Sequence, residues 1–321
     1  MKLIFGAMNI GQQVFGDEAL DMLKAFENAG GTEIDSAYVY NDGACEKTLG
    51  ACLKSLGKNC FKVSTKANPR VTGRLDYQSV KDQLNESLEW LGLKKVDVFY
   101  LHFPDAATPI EQTIKACSEL YVEGKFTELG ISNFPLALIH EMIPICDSLS
   151  CPRPTVFEGV YNALSRKAES ELFPALDELG MRFNAYNPLA GGMLTGKYHH
   201  IEDTPEMGRF VLRAKSYQSR YWKDSYFKAL DIISAACLEE GISDAEAAFR
   251  WLVHHSKLEN ARHDGIIIGA SNINQLKQNL ASLTKGPLPE GIVEAFNTAW
   301  QLTAADSPEY YRFYNNEKAA I

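Results

Sequence analysis

Four side chains in the first third of the chain could run acid–base chemistry together: Asp35, Tyr40, Lys66 and His102. A tyrosine hydroxyl ionises near about pH 10, so by itself it is a poor acid at neutral pH. A lysine ammonium beside it favours the phenolate and lowers that value, and an aspartate can hold the lysine charged and oriented. A histidine on the opposite wall can donate a hydrogen bond to a carbonyl oxygen and fix its position. Each of the four follows a short apolar run, as do Ser132-Asn133, Glu158, Asn187 and Ser271 further along.

Those runs are the elements that must position the chemistry. They cover residues 3–7, 32–34, 61–64, 96–101, 127–131, 155–157, 182–186 and 265–268, each bounded by Gly, Pro, Asn, Ser or charge. Brief β-branched or aromatic runs of this kind suit buried parallel strands. Between them lie segments of helical period. Asp17 can cap a helix carrying Leu20, Leu23 and Phe26 and stopping at Gly30-Gly31. Pro109 can open another, with Ile110, Ile114, Cys117 and Tyr121 on one face and Gly124 at its end. Further helices are expected over 45–56, 78–91, 136–146, 166–179, 226–240, 244–255, 273–283 and 290–304. Eight strand–helix units predict one α/β domain over 1–321, a (β/α)8 TIM barrel with an extra C-terminal helix and tail. The rival, an open doubly wound sheet, lacks its Gly-x-Gly-x-x-Gly fingerprint after the first strand. In a barrel the strand ends share one face, so the polar residues above meet at one mouth.

Two stretches fall outside the rhythm. Residues 198–224 are polar and hold Arg209, Arg213, Tyr217, Arg220, Tyr221 and Trp222, which reads as a lid at a strand end. The tail from Ser307 carries Pro-Glu-Tyr-Tyr-Arg-Phe-Tyr.

Composition bounds the function. The 321 residues carry 32 Lys+Arg against 41 Asp+Glu, a formal charge of -9, which argues against a general nucleic-acid partner. No apolar stretch is long enough for a membrane span, and the N-terminus does not read as a signal peptide. Seven cysteines without a Cys-x-x-Cys pair read as scattered reduced thiols, mostly in the core, of a cytoplasmic protein. The other histidines, including His199-His200 and His254-His255, lack metal-ligand spacing, so no metal site is expected.

The chain resembles the aldo-keto reductases, and within them the aflatoxin-aldehyde/succinic-semialdehyde reductases. The resemblance runs over essentially the whole chain. It rests on residues 33–40 (EIDSAYVY), 64–69 (STKANP), 100–102 (YLH), 130–134 (GISNF), Tyr161-Asn162, 185–198 (AYNPLAGGMLTGKY) and 308–312 (PEYYR). It implies an NADPH-dependent reductase of aldehydes or ketones, with NADH less favoured. Tyr40 would be the general acid, tuned by Lys66 and Asp35, and His102 would orient the small carbonyl substrate. Ser132, Asn133 and Glu158 would meet the nicotinamide. Asn187, Leu189, Gly191, Leu194 and Lys197 would cover the pyrophosphate, with Arg209 on the cofactor side. Ser271, Gln275 and Asn279 would meet the adenosine phosphate at a helix that Ser271 opens. Tyr217, Arg220, Arg312 and His102 would shape a substrate pocket, its two guanidinium groups suited to a carboxylate-bearing aldehyde. Relatives of this kind form homodimers, although no interface can be located.

Two residues depart from the pattern. Glu158 stands where the family usually has Gln, and a carboxylate cannot donate to an amide carbonyl unless it is protonated. Gln275 stands where many members place Arg for the 2′-phosphate. Two other readings remain open: a reductase dedicated to one bulky natural-product carbonyl, and a cofactor-sensing regulatory subunit like the β subunits of potassium channels. The expected surface is a basic mouth of Lys66, Lys197, Arg209, Arg220 and Arg312 on an acidic body.

Overall fold

A computed structural model describes residues 1–57 and 60–313. Eight parallel strands close into a barrel in chain order: β1 (Lys2–Gly6), β2 (Glu33–Asp35), β3 (Lys62–Ala67), β4 (Val96–Leu101), β5 (Phe126–Ser132), β6 (Val156–Val160), β7 (Arg182–Tyr186) and β8 (Gly265–Ile268). Each strand pairs with the next, and β1 closes the ring against β8. All eight expected runs are strands. Several extend further than the apolar residues alone indicate, so Lys66 lies within β3 and Glu158 in the middle of β6. Backbone pairing continues past the apolar run because a side chain pointing into the barrel can be polar if it finds a partner there.

The outward strand faces and the inner faces of the helices form one continuous apolar core that includes Phe5, Phe26, Phe99, Phe157, Phe183 and Trp251. The barrel interior is different. Among the described residues, Val98, Tyr100 and Val156 form a small separate apolar cluster there, beneath the strand ends that carry Lys66 and Glu158. Polar side chains, among them Ser64, Asp35 and Asn184, are buried beside it.

Several helix ends differ from the sequence expectation. The first helix is Gly16–Asn28, so Asp17 sits in its first turn, not at its cap, where its charge still favours the positive end of the helix dipole. Pro109 is the residue before the helix Ile110–Val122. Residues 166–179 split into a short turn, Lys167–Glu169, and a helix, Leu172–Leu179. Pro174 accounts for the break: in a continuous helix its ring would clash with the preceding turn, whereas a start at Leu172 leaves it in the first turn, where no N–H is needed.

The stretch 198–224 is ordered, with the helices Arg209–Leu212 and Ala214–Tyr221. Aromatic contacts hold it down, Phe210 against Trp222 at 5.0 Å and Tyr198 against Trp222 at 5.1 Å. The end of the chain is docked too. Tyr310 is buried with its hydroxyl on Glu171, and the Arg312 N–H donates to the Asn133 carbonyl at 2.9 Å. The remainder of the tail, 314–321, lies outside the described residues. Among the described residues, no helix is long and apolar enough to cross a membrane.

Candidate active site at the strand ends

The register of β2, β3 and β4 brings three of the four expected residues together. Asp35 ends β2 beside Ser64, Lys66 sits opposite Tyr100, and His102 follows β4. Lys66 is fully buried; its ammonium donates to an Asp35 carboxylate oxygen and, at 2.8 Å, to the Ser36 carbonyl. Ser64 adds a hydroxyl to the same Asp35 oxygen at 2.9 Å. The chain then turns outward and places the half-buried Tyr40 ring 5.5 Å from the Lys66 ammonium and 5.9 Å from the His102 ring. Tyr38 points elsewhere, stacking on Trp90 and donating to Glu86. That geometry separates two tyrosines that the sequence alone presents side by side.

The electrostatics of Tyr40 run opposite to the sequence expectation. Burial first, then the acidic neighbours Asp35 and Glu158, push its hydroxyl well above the usual range. The hydroxyl therefore stays a proton donor. Burial works against the Lys66 ammonium, but Asp35 and Glu158 more than offset it and raise its value, so the lysine is charged. It is also enclosed by two carboxyl groups, which removes it from the expected basic mouth.

His102 is buried, and desolvation followed by Lys66 holds it well below its ordinary value, so it is neutral. Its Nδ1 lies 3.0 Å from the Asn68 side-chain amide nitrogen. The orientation of that amide is set by its oxygen, which accepts from the Arg70 N–H at 2.9 Å. Gln83 clamps the Asn68 backbone from both sides, at 2.8 and 3.2 Å. Asn68 is therefore the donor, Nδ1 the acceptor, and the histidine proton sits on Nε2. Asn68 and Gln83 were not singled out from sequence. The only available signal for Asn68 was its place at the end of β3, in the run that carries Lys66.

The residues expected around a nicotinamide lie on β5, β6 and β7. Ser132 and Glu158 are paired neighbours in the sheet, both buried. Asn133 adopts φ +62°, a left-handed conformation that asparagine tolerates better than most side chains. Both its amide hydrogens are engaged, by the His102 carbonyl at 2.9 Å and the Ser132 hydroxyl at 2.8 Å, while its oxygen accepts from Tyr186 at 2.7 Å. Only spare acceptor capacity on that oxygen is left for a ligand. Tyr186, the last residue of β7, is a wall residue that its place at a strand end could have signalled.

After β7 the chain forms a glycine-rich turn. Gly191 has φ +70°, and a Cβ there would fall 2.4 Å from the Tyr217 ring, so only glycine lets Tyr217 pack on this turn. Tyr217 is consequently buried, its hydroxyl on the Asn187 side chain at 3.2 Å. Leu189 is partly exposed and Lys197 exposed, but the Leu194 side chain is in the core, leaving only its backbone to face a ligand. Arg209 donates to Asn9 at 2.7 Å, and its Nη1 is buried without a hydrogen-bond partner. An unpartnered guanidinium nitrogen beside a glycine-rich turn fits the phosphates of a dinucleotide.

At β8, Asn272 and not Ser271 caps the helix Ile273–Leu283, accepting from the Gln275 N–H. The Gln275 side chain accepts from both the N–H and the hydroxyl of Ser271, and Asn279 donates to the Gly269 carbonyl. Across the mouth, Arg220 lies 5.6 Å over the Tyr217 ring. Arg312 is held below its usual value by burial and then by the nearby Arg220. Among the described residues, neither Arg220, Arg312 nor Arg209 forms an ion pair.

A cavity of about 510 Å³ opens at the other end of the barrel, among Lys2, Glu33, Asp97, Glu128, Arg182 and Arg262. It reaches up to Asp35 and Tyr100 but not to Tyr40 or His102. The acid–base residues face the opposite, C-terminal end, where barrels carry their chemistry. Among the described residues, no cluster of three metal-ligating side chains exists.

The profile of the Aldo/keto reductase family matches residues 2–301. The chain belongs to that family. It is 43% identical over 319 residues to human aflatoxin B1 aldehyde reductase member 2, covering 96% of this chain and 89% of that one. It is 42% identical over 319 residues to human aldo-keto reductase family 7 member A3, covering 96% of each. Oxidoreductase sirO of Leptosphaeria maculans is 36% identical over 313 residues, covering 96% and 91%. The chain is thus an oxidoreductase that acts on carbonyl groups and uses a nicotinamide cofactor.

Proposed function

We propose that this aldo/keto reductase reduces aldehydes, above all carboxylate-bearing ones, to alcohols with NADPH in preference to NADH, and that Tyr40 is its general acid. The observation that carries this reading is the convergence of Tyr40, Lys66 and His102 at one mouth, in protonation states suited to donating to a carbonyl oxygen.

A nicotinamide held at this mouth would supply the hydride for the carbonyl carbon. The Nε2–H of His102 donates to the carbonyl oxygen and orients it. Tyr40 gives its proton to the same oxygen as negative charge develops there, which balances the reduction. Lys66, fixed by Asp35 and the Ser36 carbonyl 5.5 Å from the Tyr40 ring, would favour the resulting phenolate. Arg209, with Asn187, Leu189, Gly191, Lys197 and the backbone of Leu194, would hold the pyrophosphate. Ser271, Gln275 and Asn279 would line the adenosine end, where no guanidinium of the Ile273–Leu283 helix is available for a 2′-phosphate. NADPH preference therefore rests on the resemblance more than on this end of the site. Arg220 and Arg312, adjacent cations without acidic partners, would take the substrate carboxylate.

Fluorescence titration with NADPH and NADH, followed by turnover of succinic semialdehyde beside a nitrobenzaldehyde, tests the reading. Micromolar NADPH binding and preferred turnover of the carboxylate-bearing aldehyde are expected; failure of both cofactors to bind would overturn it.

A further inference from the structure

The lysine at the bottom of the mouth has one more carboxyl group than it needs. Lys66 donates to Asp35, and its ammonium also lies 3.3 Å from Oε2 of Glu158. The side chains are 0% exposed for Lys66 and 4% for Glu158, so water does not share the charge. Oδ1 of Asp35 and Oε2 of Glu158 therefore converge on one ammonium. Two ionised carboxylates converging there would repel each other, and neither has a hydrogen to give the other. With both ionised, the cluster would also hold a net negative charge in a dry site, a costly arrangement.

The surroundings do not relieve it. The titratable groups facing Glu158 are Asp35 from β2, Lys66 from β3, Tyr100 from β4, Tyr186 from β7 and Tyr40 from the loop after β2. Lys66 is the only cation among them. Glu46, buried behind β2 and β3 on the hydroxyls of Ser36, Thr65 and Ser87, adds a further carboxyl group near the lysine. Asp35 keeps the better donors, the Lys66 ammonium and the Ser64 hydroxyl, whereas Oε2 of Glu158 has the longer lysine contact and no hydrogen bond.

We propose that Glu158 is a neutral carboxyl group in the resting protein, holding the one proton that brings the Asp35–Lys66–Glu158 cluster to zero charge, and that it is a hydrogen-bond donor at the strand ends. Burial and the charge of Asp35, only partly offset by Lys66, push the group in the same direction. A neutral carboxyl has one accepting oxygen and one donating O–H, the same pair of functions as a glutamine amide. It can therefore serve the carboxamide of a nicotinamide ring from both sides, a consequence that rests on the function proposed above. The proton itself does not depend on it. Raising the pH until Glu158 ionises would leave an uncompensated buried charge in the mouth and remove the donor, which makes ligand binding pH-dependent.

The test has two arms. Infrared spectra of the ligand-free protein at pH 7 should contain the C=O stretch of a protonated carboxyl that disappears in Glu158→Gln. It should also disappear in Asp35→Asn, because Glu158 then has Lys66 to itself and ionises. No difference between wild type and Glu158→Gln overturns the proposal. In the second arm, NADPH affinity is followed by fluorescence from pH 6 to 10, as a span of about four units around neutrality and above. On the alkaline side wild type should lose about tenfold or more in affinity relative to Glu158→Gln as Glu158 ionises. Identical profiles also overturn the donor role. If wild type binds no dinucleotide at any pH, the cofactor reading fails while the infrared arm still decides the proton.

Discussion

The Asn68 side-chain amide donates to Nδ1 of His102 at 3.0 Å, and that bond leaves the imidazole proton on Nε2, the nitrogen available to a substrate. Asn68→Asp replaces the donor with a carboxylate, which draws the proton to Nδ1 and turns Nε2 into an acceptor. Loss of a preorganised donor to a developing oxyanion costs about 10²- to 10³-fold in kcat. Steady-state kinetics on Asn68→Asp should register that loss with little change in NADPH affinity. Wild-type kcat would show that the tautomer does not matter.

His102 also links stability to acid. Its folded value is held well below the unfolded value of about 6.5, so in acid the unfolded chain binds a proton that the folded chain does not. Stability contributed by this group is complete above about pH 6.5 and declines as pH falls below it, by up to ~1.4 kcal/mol per pH unit. Urea unfolding at pH 7.5 and 5.5 should reveal a steeper decline in wild type than in His102→Asn. Equal declines would place the acid sensitivity elsewhere.

Lys66 has no exposed surface and stands between two carboxyl groups. Lys66→Met leaves Asp35 without a cation in a dry site, which costs about 3 kcal/mol, the lower end for breaking a buried pair. Adding Asp35→Asn to that variant should recover part of the loss, since the orphaned charge is gone. Denaturant midpoints decide this, and a Lys66→Met protein as stable as wild type would contradict the packing described.

Among the described residues Arg220 and Arg312 lie near each other and form no ion pair with an acid, a state that an anionic substrate group would relieve. Arg312→Ala is expected to raise KM for succinic semialdehyde by about 10- to 100-fold, equivalent to one charge-assisted hydrogen bond. A neutral nitrobenzaldehyde should be affected far less. Equal effects on both substrates would mean that Arg312 shapes the mouth without reading charge.

The strand–helix alternation was legible because every strand is a short apolar run between breakers, and those runs map onto β1–β8. Asp35, Lys66 and His102 were legible for the same reason: a polar residue at the end of such a run has the mouth to face. What stayed hidden depends on distance across the barrel. Asn68 meets His102 over 34 residues of sequence, and Glu158 meets Lys66 across β4 and β5; no local pattern records either contact. The burial of the Tyr40 hydroxyl, which raises it more than any neighbour does, likewise has no local sequence signal. Ser271 was expected to open its helix, but Asn272 next to it makes the capping bond. The 198–224 stretch read as polar loop because its charges outnumber its aromatics, yet Tyr198, Phe210 and Trp222 decide its packing.

The central claim is that the Tyr40 hydroxyl delivers the proton to the carbonyl oxygen. Stopped-flow mixing of protein-bound NADPH with succinic semialdehyde measures that step in wild type and in Tyr40→Phe. The prediction is rapid decay of the NADPH signal in wild type and at least about a 10²-fold slower decay in the variant, with NADPH affinity unchanged. Decay in Tyr40→Phe at the wild-type rate would contradict it.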